Sequence, residues 1–107
     1  MIKLYQIRIT KEIARRVNLG ETVAEYTAHC DASMLGKFPG RGFYGHVADL
    51  ATDDLDMAFQ IGNIGPEASI TRHAPMHSVS VGDVLVREDG SAVIVASFGF
   101  NAINWSN

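Results

Sequence analysis

At 107 residues, with 47% hydrophobic and 20% charged residues, the chain has the length and balance of one globular domain with a modest core. No apolar run approaches the ~18–20 residues of a bilayer-crossing helix, and MIKLYQIRIT alternates where a signal peptide would be continuously apolar, so the expectation is a cytoplasmic protein without a membrane partner. A net charge of −3 and a pI near 5.7 argue against non-specific binding to duplex nucleic acid, which depends on neutralising many phosphates.

The N-terminal Ile2-Lys-Leu-Tyr-Gln-Ile-Arg-Ile9 alternates apolar and polar residues, the period of a half-buried strand. Thr10 stands where a helix N-cap belongs, Ile13, Ala14 and Val17 follow at helical spacing, and Asn18-Leu-Gly20 is a stop. A second helix is predicted over Glu21 to Leu35, with Val23, Tyr26, Thr27 and Cys30 on its apolar face and Gly36 closing it. Lys37-Phe-Pro-Gly-Arg-Gly42 is the clearest loop, and a strand from Phe43 to Leu50 follows. Thr52 is a further N-cap candidate. It precedes acids that oppose a helix dipole and an apolar stripe of Leu55, Ala58 and Phe59, and Gly62-Asn-Ile-Gly-Pro66 ends that helix.

The stretch Met76–Phe100 is the most regular. Gly82-Asp83 forms a turn, Val84-Leu-Val86 a strand, Glu88-Asp-Gly90 a hairpin turn, and Ala92–Ala96 a strand apolar on both faces. The aromatic C-terminus, FGFNAINW, packs back on the body. The order β-α-α-β-α-β-β over residues 1–107 describes a single α+β domain, with a small mixed or antiparallel sheet and two to three helices. Homodimerisation through an edge strand, Tyr5–Ile9 or Val84–Arg87, is open to so small a domain.

Catalytic chemistry finds no constellation. His73 and His77 have the spacing of two ligands on one helix face, but Pro75 lies between them and no acid completes a zincin motif, so no metal is assigned. His29 and Cys30 are adjacent on a helix and diverge; Cys30, the lone cysteine, reads as a small core residue with no disulfide partner. No serine lies in a G-x-S-x-G elbow, and Asp83 reads as a turn residue whose carboxylate accepts local amide bonds. No cofactor motif is present; Gly40-Arg-Gly-Phe-Tyr-Gly45 matches neither the P-loop nor the Rossmann pattern.

Two surface features remain. Arg41 beside Phe43 and Tyr44 could stack on and neutralise a single strand of nucleic acid, or form a flexible loop that leads core aromatics into a strand. Asp49, Asp53, Asp54 and Asp56 could form an acidic patch, or serve the start of a helix. Charge is also uneven along the chain: residues 1–48 hold seven Lys/Arg and four acids, residues 49–107 two and eight.

The motifs MHSVSVGDVLV, DG and VIVASFGF, preceded by DLDMAFQIGNIGPEASI, resemble a family of small bacteriophage and mobile-element proteins. They are similar to the YodL-like domain, in which a His-Ser pair, an S-V-x-D core and a terminal G-F recur in that order. The resemblance covers about Asp54 to Ile103. It implies a non-enzymatic accessory protein of the bacterial host cytoplasm that binds and inhibits or redirects a host macromolecule, such as a CRISPR, restriction, transcription or replication component. Candidate partner-binding residues are Phe38, Arg41, Tyr44, Asp49, Asp53, Asp54 and Asp56. Alternatives are a PUA/ASCH-like nucleic-acid-binding module, suggested by V-G-D followed by a hairpin, and a small hydrolase or nuclease using Asp83 and His77.

Overall fold

The computed structural model describes residues 1–106, and the alternation at the N-terminus becomes its organising strand. In β1 (Ile2–Ile7) the side chains of Ile2, Leu4 and Gln6 are buried on one face, while Lys3, Tyr5 and Ile7 take the other. Thr10 caps α1 (Lys11–Asn18), its hydroxyl accepting from Ile13 N–H at 3.2 Å; the helix buries no residue completely. α2 (Ala24–Leu35) ends on Gly36 in the left-handed conformation. β2 (Tyr44–Leu50), α3 (Leu55–Ile64) and a three-residue β3 (Ile70–Arg72) follow, then β4 (Val84–Val86), β5 (Ala92–Val95) and β6 (Phe100–Ile103).

All pairings are antiparallel, in one sheet of order β3-β2-β1-β4-β5-β6. This is the expected single α+β domain with an antiparallel sheet and three helices. Two strands, β3 and β6, are added to the expected order. The expected edges are corrected: β1 and β4 pair with each other at the centre, and β3 and β6 are the edges.

The sheet is covered on both faces. Ile2, Leu4, Leu50, Leu85 and Val93 pack with Ala58 and Ile61 of α3. Ile7, Val84, Ile94 and Trp105 pack with Ala28 and Ala32 of α2. This explains why all of Ala92–Val95 is buried. Each fully buried Leu or Ile contributes about 1.5–3 kcal/mol.

Three details differ from the sequence reading. α2 turns Val23, Ala28 and Ala32 inward, and Tyr26 lies outside. Its alanine face lets the helix backbone approach Gly82 so closely that a Cβ there would meet Ala32 C and O and Ser33 N at 2.7–2.9 Å. The N-cap of α3 is Asp54, which accepts from Met57 N–H at 3.0 Å; Thr52 instead accepts from Asp54 N–H at 3.1 Å. The C-terminal aromatics divide: Trp105 is buried, whereas Phe98 projects from the β5–β6 turn.

The β1–β2 register changes midway. Leu4 faces Ala48 but Tyr5 faces His46, so Val47 is an extra residue, a β-bulge. In regular strand geometry residues three apart point to opposite faces. The bulge places His46 and Asp49 on the same one.

Candidate functional site

Three groups of residues stand out above the core. The first surrounds Gln6. This glutamine sits in the buried register of β1, and its amide acts as a strand partner for an irregular segment: Oε1 accepts from His77 N–H at 3.2 Å and Nε2 donates to His77 C=O at 2.9 Å. Nε2 also donates to Asp83 Oδ2 at 3.0 Å, which uses both of its protons. Asp83 Oδ2 accepts a further bond from Ser80 N–H at 2.9 Å, the local turn bond expected of Gly82-Asp83. Burial drives the Asp83 pKa up to about 6, against the lowering effect of the Ser80 amide, the His77 charge and Gln6.

A cleft of about 310 Å3 opens beside this network, between α2 and the Val79–Asp83 turn, and His29, Ser33, His77 and Ser80 line it. Desolvation, and secondarily His77, lowers the His29 pKa. His77 Nδ1 lies 2.7 Å from the Ser78 carbonyl, which can only accept, so Nδ1 carries the proton and Nε2 is the acceptor of the neutral ring. Ser80 Oγ donates to the Ser78 carbonyl at 2.8 Å and lies 3.5 Å from the protonated Nδ1, so His77 does not act on it as a base. The cleft assembles no nucleophile–base pair.

The second group is an aromatic row across the sheet. His73 meets His46 at 4.7 Å between ring centroids, His46 stacks on Tyr5 at 5.0 Å, and Tyr5 meets Trp105 edge-on at 4.7 Å. Arg41 lies over the Trp105 ring at 4.9 Å, a cation–π contact. Phe38 and Tyr44 pack around the same indole at 6.0 and 5.9 Å. The Tyr44 hydroxyl donates to Gly82 C=O at 2.6 Å, and burial pushes its pKa far above the usual phenol range. The loop aromatics of the sequence analysis thus close the core around Trp105. Arg41 remains on the rim of a groove with Lys3 and Tyr5.

At the other end of the row, Asp49 accepts from both histidines: His46 Nε2 lies 2.8 Å from Oδ1, and His73 Nε2 lies 2.8 Å from Oδ2. Burial tends to raise the Asp49 pKa, but the bonds from His73 and His46 outweigh it and hold the carboxyl below its ordinary range. The other acids of that run go elsewhere. Asp53 faces the amino group of Met1, Asp54 caps α3, and Asp56 is exposed in the first turn of that helix. They do not join Asp49 in one free acidic patch.

The third group is apolar. Met34 and Leu35 at the end of α2 are 76% and 73% exposed, and Phe98 is 96% exposed. Gly36 lies against Ala96, which brings the end of α2 beside the β5–β6 turn. The adjoining edge strand, Phe100-Asn-Ala-Ile103, carries no charge.

Asp49 and His73 were each expected in other groupings, and neither was linked to His46: the bulge alone brings His46 and Asp49 to one face, and the β2–β3 pairing brings His73 to them. Gln6, one of the polar positions in the expected alternation, is instead buried. Phe98 was expected to pack inward. Compared with family models, curated proteins and solved structures, the chain matches none. Among the described residues no helix is long and apolar enough to cross a membrane.

Proposed function

We propose that this chain is a non-enzymatic binding protein, a mobile-element accessory factor that docks on a host protein in the bacterial cytoplasm and inhibits or redirects it. The observation that carries this reading is the β6 edge with Phe98 beside it. An edge strand offers unpaired N–H and C=O groups to an extended segment of a partner, and proteins that avoid such pairing protect their edges with lysine, proline or a covering element. β6 carries neither lysine nor proline. A phenylalanine held outside the core adds nothing to folding, whereas aromatic anchors dominate binding at interfaces. Met34 and Leu35 extend the apolar surface past the turn. The resemblance to phage and mobile-element proteins supports the host setting.

The test compares the wild type with a Leu35→Asp, Phe98→Asp double variant, both tagged and expressed in a bacterial host. Both positions are exposed, so the variant is expected to keep its melting temperature. A protein retained by the wild type and lost by the variant supports the reading. No retained protein, or equal retention by both, overturns it.

A second reading is favoured by the groove lined by Lys3, Tyr5, Arg41 and Asn104 around Trp105, which places two cations and an aromatic together as a single-stranded nucleic acid requires. Binding of single-stranded RNA or DNA at low salt, weakened by Arg41→Ala, is its expected outcome in a gel-shift series.

A further inference from the structure

We propose that His46, Asp49 and His73 form a binding site for a divalent first-row transition metal ion, zinc foremost. The three side chains each present one donor atom, and these atoms lie within 4.8 Å of one another. Zinc binds imidazole nitrogen and carboxylate oxygen at about 2.0–2.2 Å, so ligand atoms around one ion stand roughly 3–3.5 Å apart. Each His Nε2 is already 2.8 Å from its own oxygen of Asp49, and small side-chain rotations open the space for an ion.

Two features of the backbone build this cluster. The Val47 bulge brings His46 and Asp49, three residues apart, onto one face of β2. The β2–β3 register then delivers the third member. Asp49 faces Thr71 and Ala48 faces Arg72, and the His73 N–H donates to the Val47 carbonyl at 2.8 Å, so His73 continues the strand opposite the bulge itself. The same extra residue therefore aligns all three.

The rings are also held. His46 stacks on Tyr5, which is fixed in turn by Trp105, and His73 packs on His46. Outer partners of this kind orient metal ligands and limit what binding must order. The His46 Nε2 lies 3.1 Å from the Ala48 carbonyl as well as 2.8 Å from Asp49, so without metal this nitrogen carries the proton and donates. Metal entry requires the tautomer protonated on Nδ1 instead.

Two imidazoles and a carboxylate suit Zn2+, Co2+ or Ni2+. The set lacks the thiolates that select Cu(I) and the six or more oxygens that Ca2+ takes. Three protein ligands leave a coordination position open, and the His73 side chain is 42% exposed, so the open position faces solvent. The cluster lies at the β2–β3 side of the sheet, opposite the β6 edge, and its metal affinity is independent of the partner-binding reading.

The experiment is calorimetric titration of the full chain with zinc, alongside the visible absorption of its cobalt complex. The expected result is one zinc per chain. Affinity should fall at least about tenfold in both His46→Ala and His73→Ala and stay unchanged in His77→Ala. Because any substitution can disturb a fold, the wild type also gives a direct reading by NMR of its imidazole groups during the titration. Shifts confined to His46 and His73 support the site. No zinc uptake, uptake indifferent to His46→Ala and His73→Ala, or shifts centred on His29 and His77 overturns it.

Discussion

A single polar side chain, Gln6, holds an irregular segment in place. Its amide satisfies both backbone groups of His77 and one oxygen of Asp83, and no buried side-chain polar atom among the described residues lacks a partner. Gln6→Leu would leave those groups unpaired in a site of the same size. Its expected cost is about 2–4 kcal/mol, measured by urea denaturation. Asp83 gives a pH signature of definite sign. Its pKa is 3.8 in an ordinary setting and about 6 in the fold, so between these values the folded protein keeps a proton that the unfolded chain has lost. Stability from this group is therefore greatest near pH 4, falls as pH rises to about 6, and then levels, a change of roughly 3 kcal/mol. Asp83→Asn keeps an oxygen for Ser80 and Gln6 but cannot ionise. Unfolding midpoints from pH 4 to 7 should show this fall removed and the variant more stable than wild type at pH 7. The alternation of the strand was legible, but the burial of Gln6 was not, because its partners lie some seventy positions away.

At the scale of elements, the long periodic segments were legible and the short ones were not. The alternation of β1, the caps at Thr10 and Gly36, and the Glu88–Gly90 hairpin all follow from local chemistry and appear as expected. β3 has three residues, too few for any period, and β6 lies within an aromatic run that reads equally as a packed tail. The inward face of α2 was misread because apolar size favoured Tyr26 and Cys30, whereas the contact with Gly82 demands small side chains. That contact makes a prediction. Gly82 has a φ of 96° as well as α2 backbone within 3 Å of any added Cβ. Gly82→Ala is expected to cost 2 kcal/mol or more by roughly the usual scale of such strain, and to increase hydrogen exchange in α2 before α3. The bulge at Val47 had no sequence signal, since it exists only as a mismatch between two paired strands. The His46–Asp49–His73 cluster was hidden for that reason and because the β2–β3 pairing that brings in His73 was equally without signal.

The whole molecule sets its charge asymmetry side by side instead of on separate faces. Lys3 of β1, from the basic half, pairs with Asp49 of β2, from the acidic half, and the amino group of Met1 faces both Asp53 and Glu88. Binding through the apolar β6 end should accordingly depend little on salt, whereas binding through the Lys3–Arg41 groove should weaken steeply; a salt series on any captured partner separates the two. The strand order has a further consequence, for the time course of synthesis. β4, β5 and β6 are joined by tight connections, so the last quarter of the chain contains its most local pairings. β1 pairs with β2 on one side, and its other neighbour is β4, roughly eighty residues later. Before β4 is made, Ile2 and Leu4 can pair with β2 on one side only, and the sheet is completed when the C-terminal hairpins join it. A chain truncated before β5 is expected to leave β4 without its outer neighbour, and proteolysis should cleave it where the full chain resists.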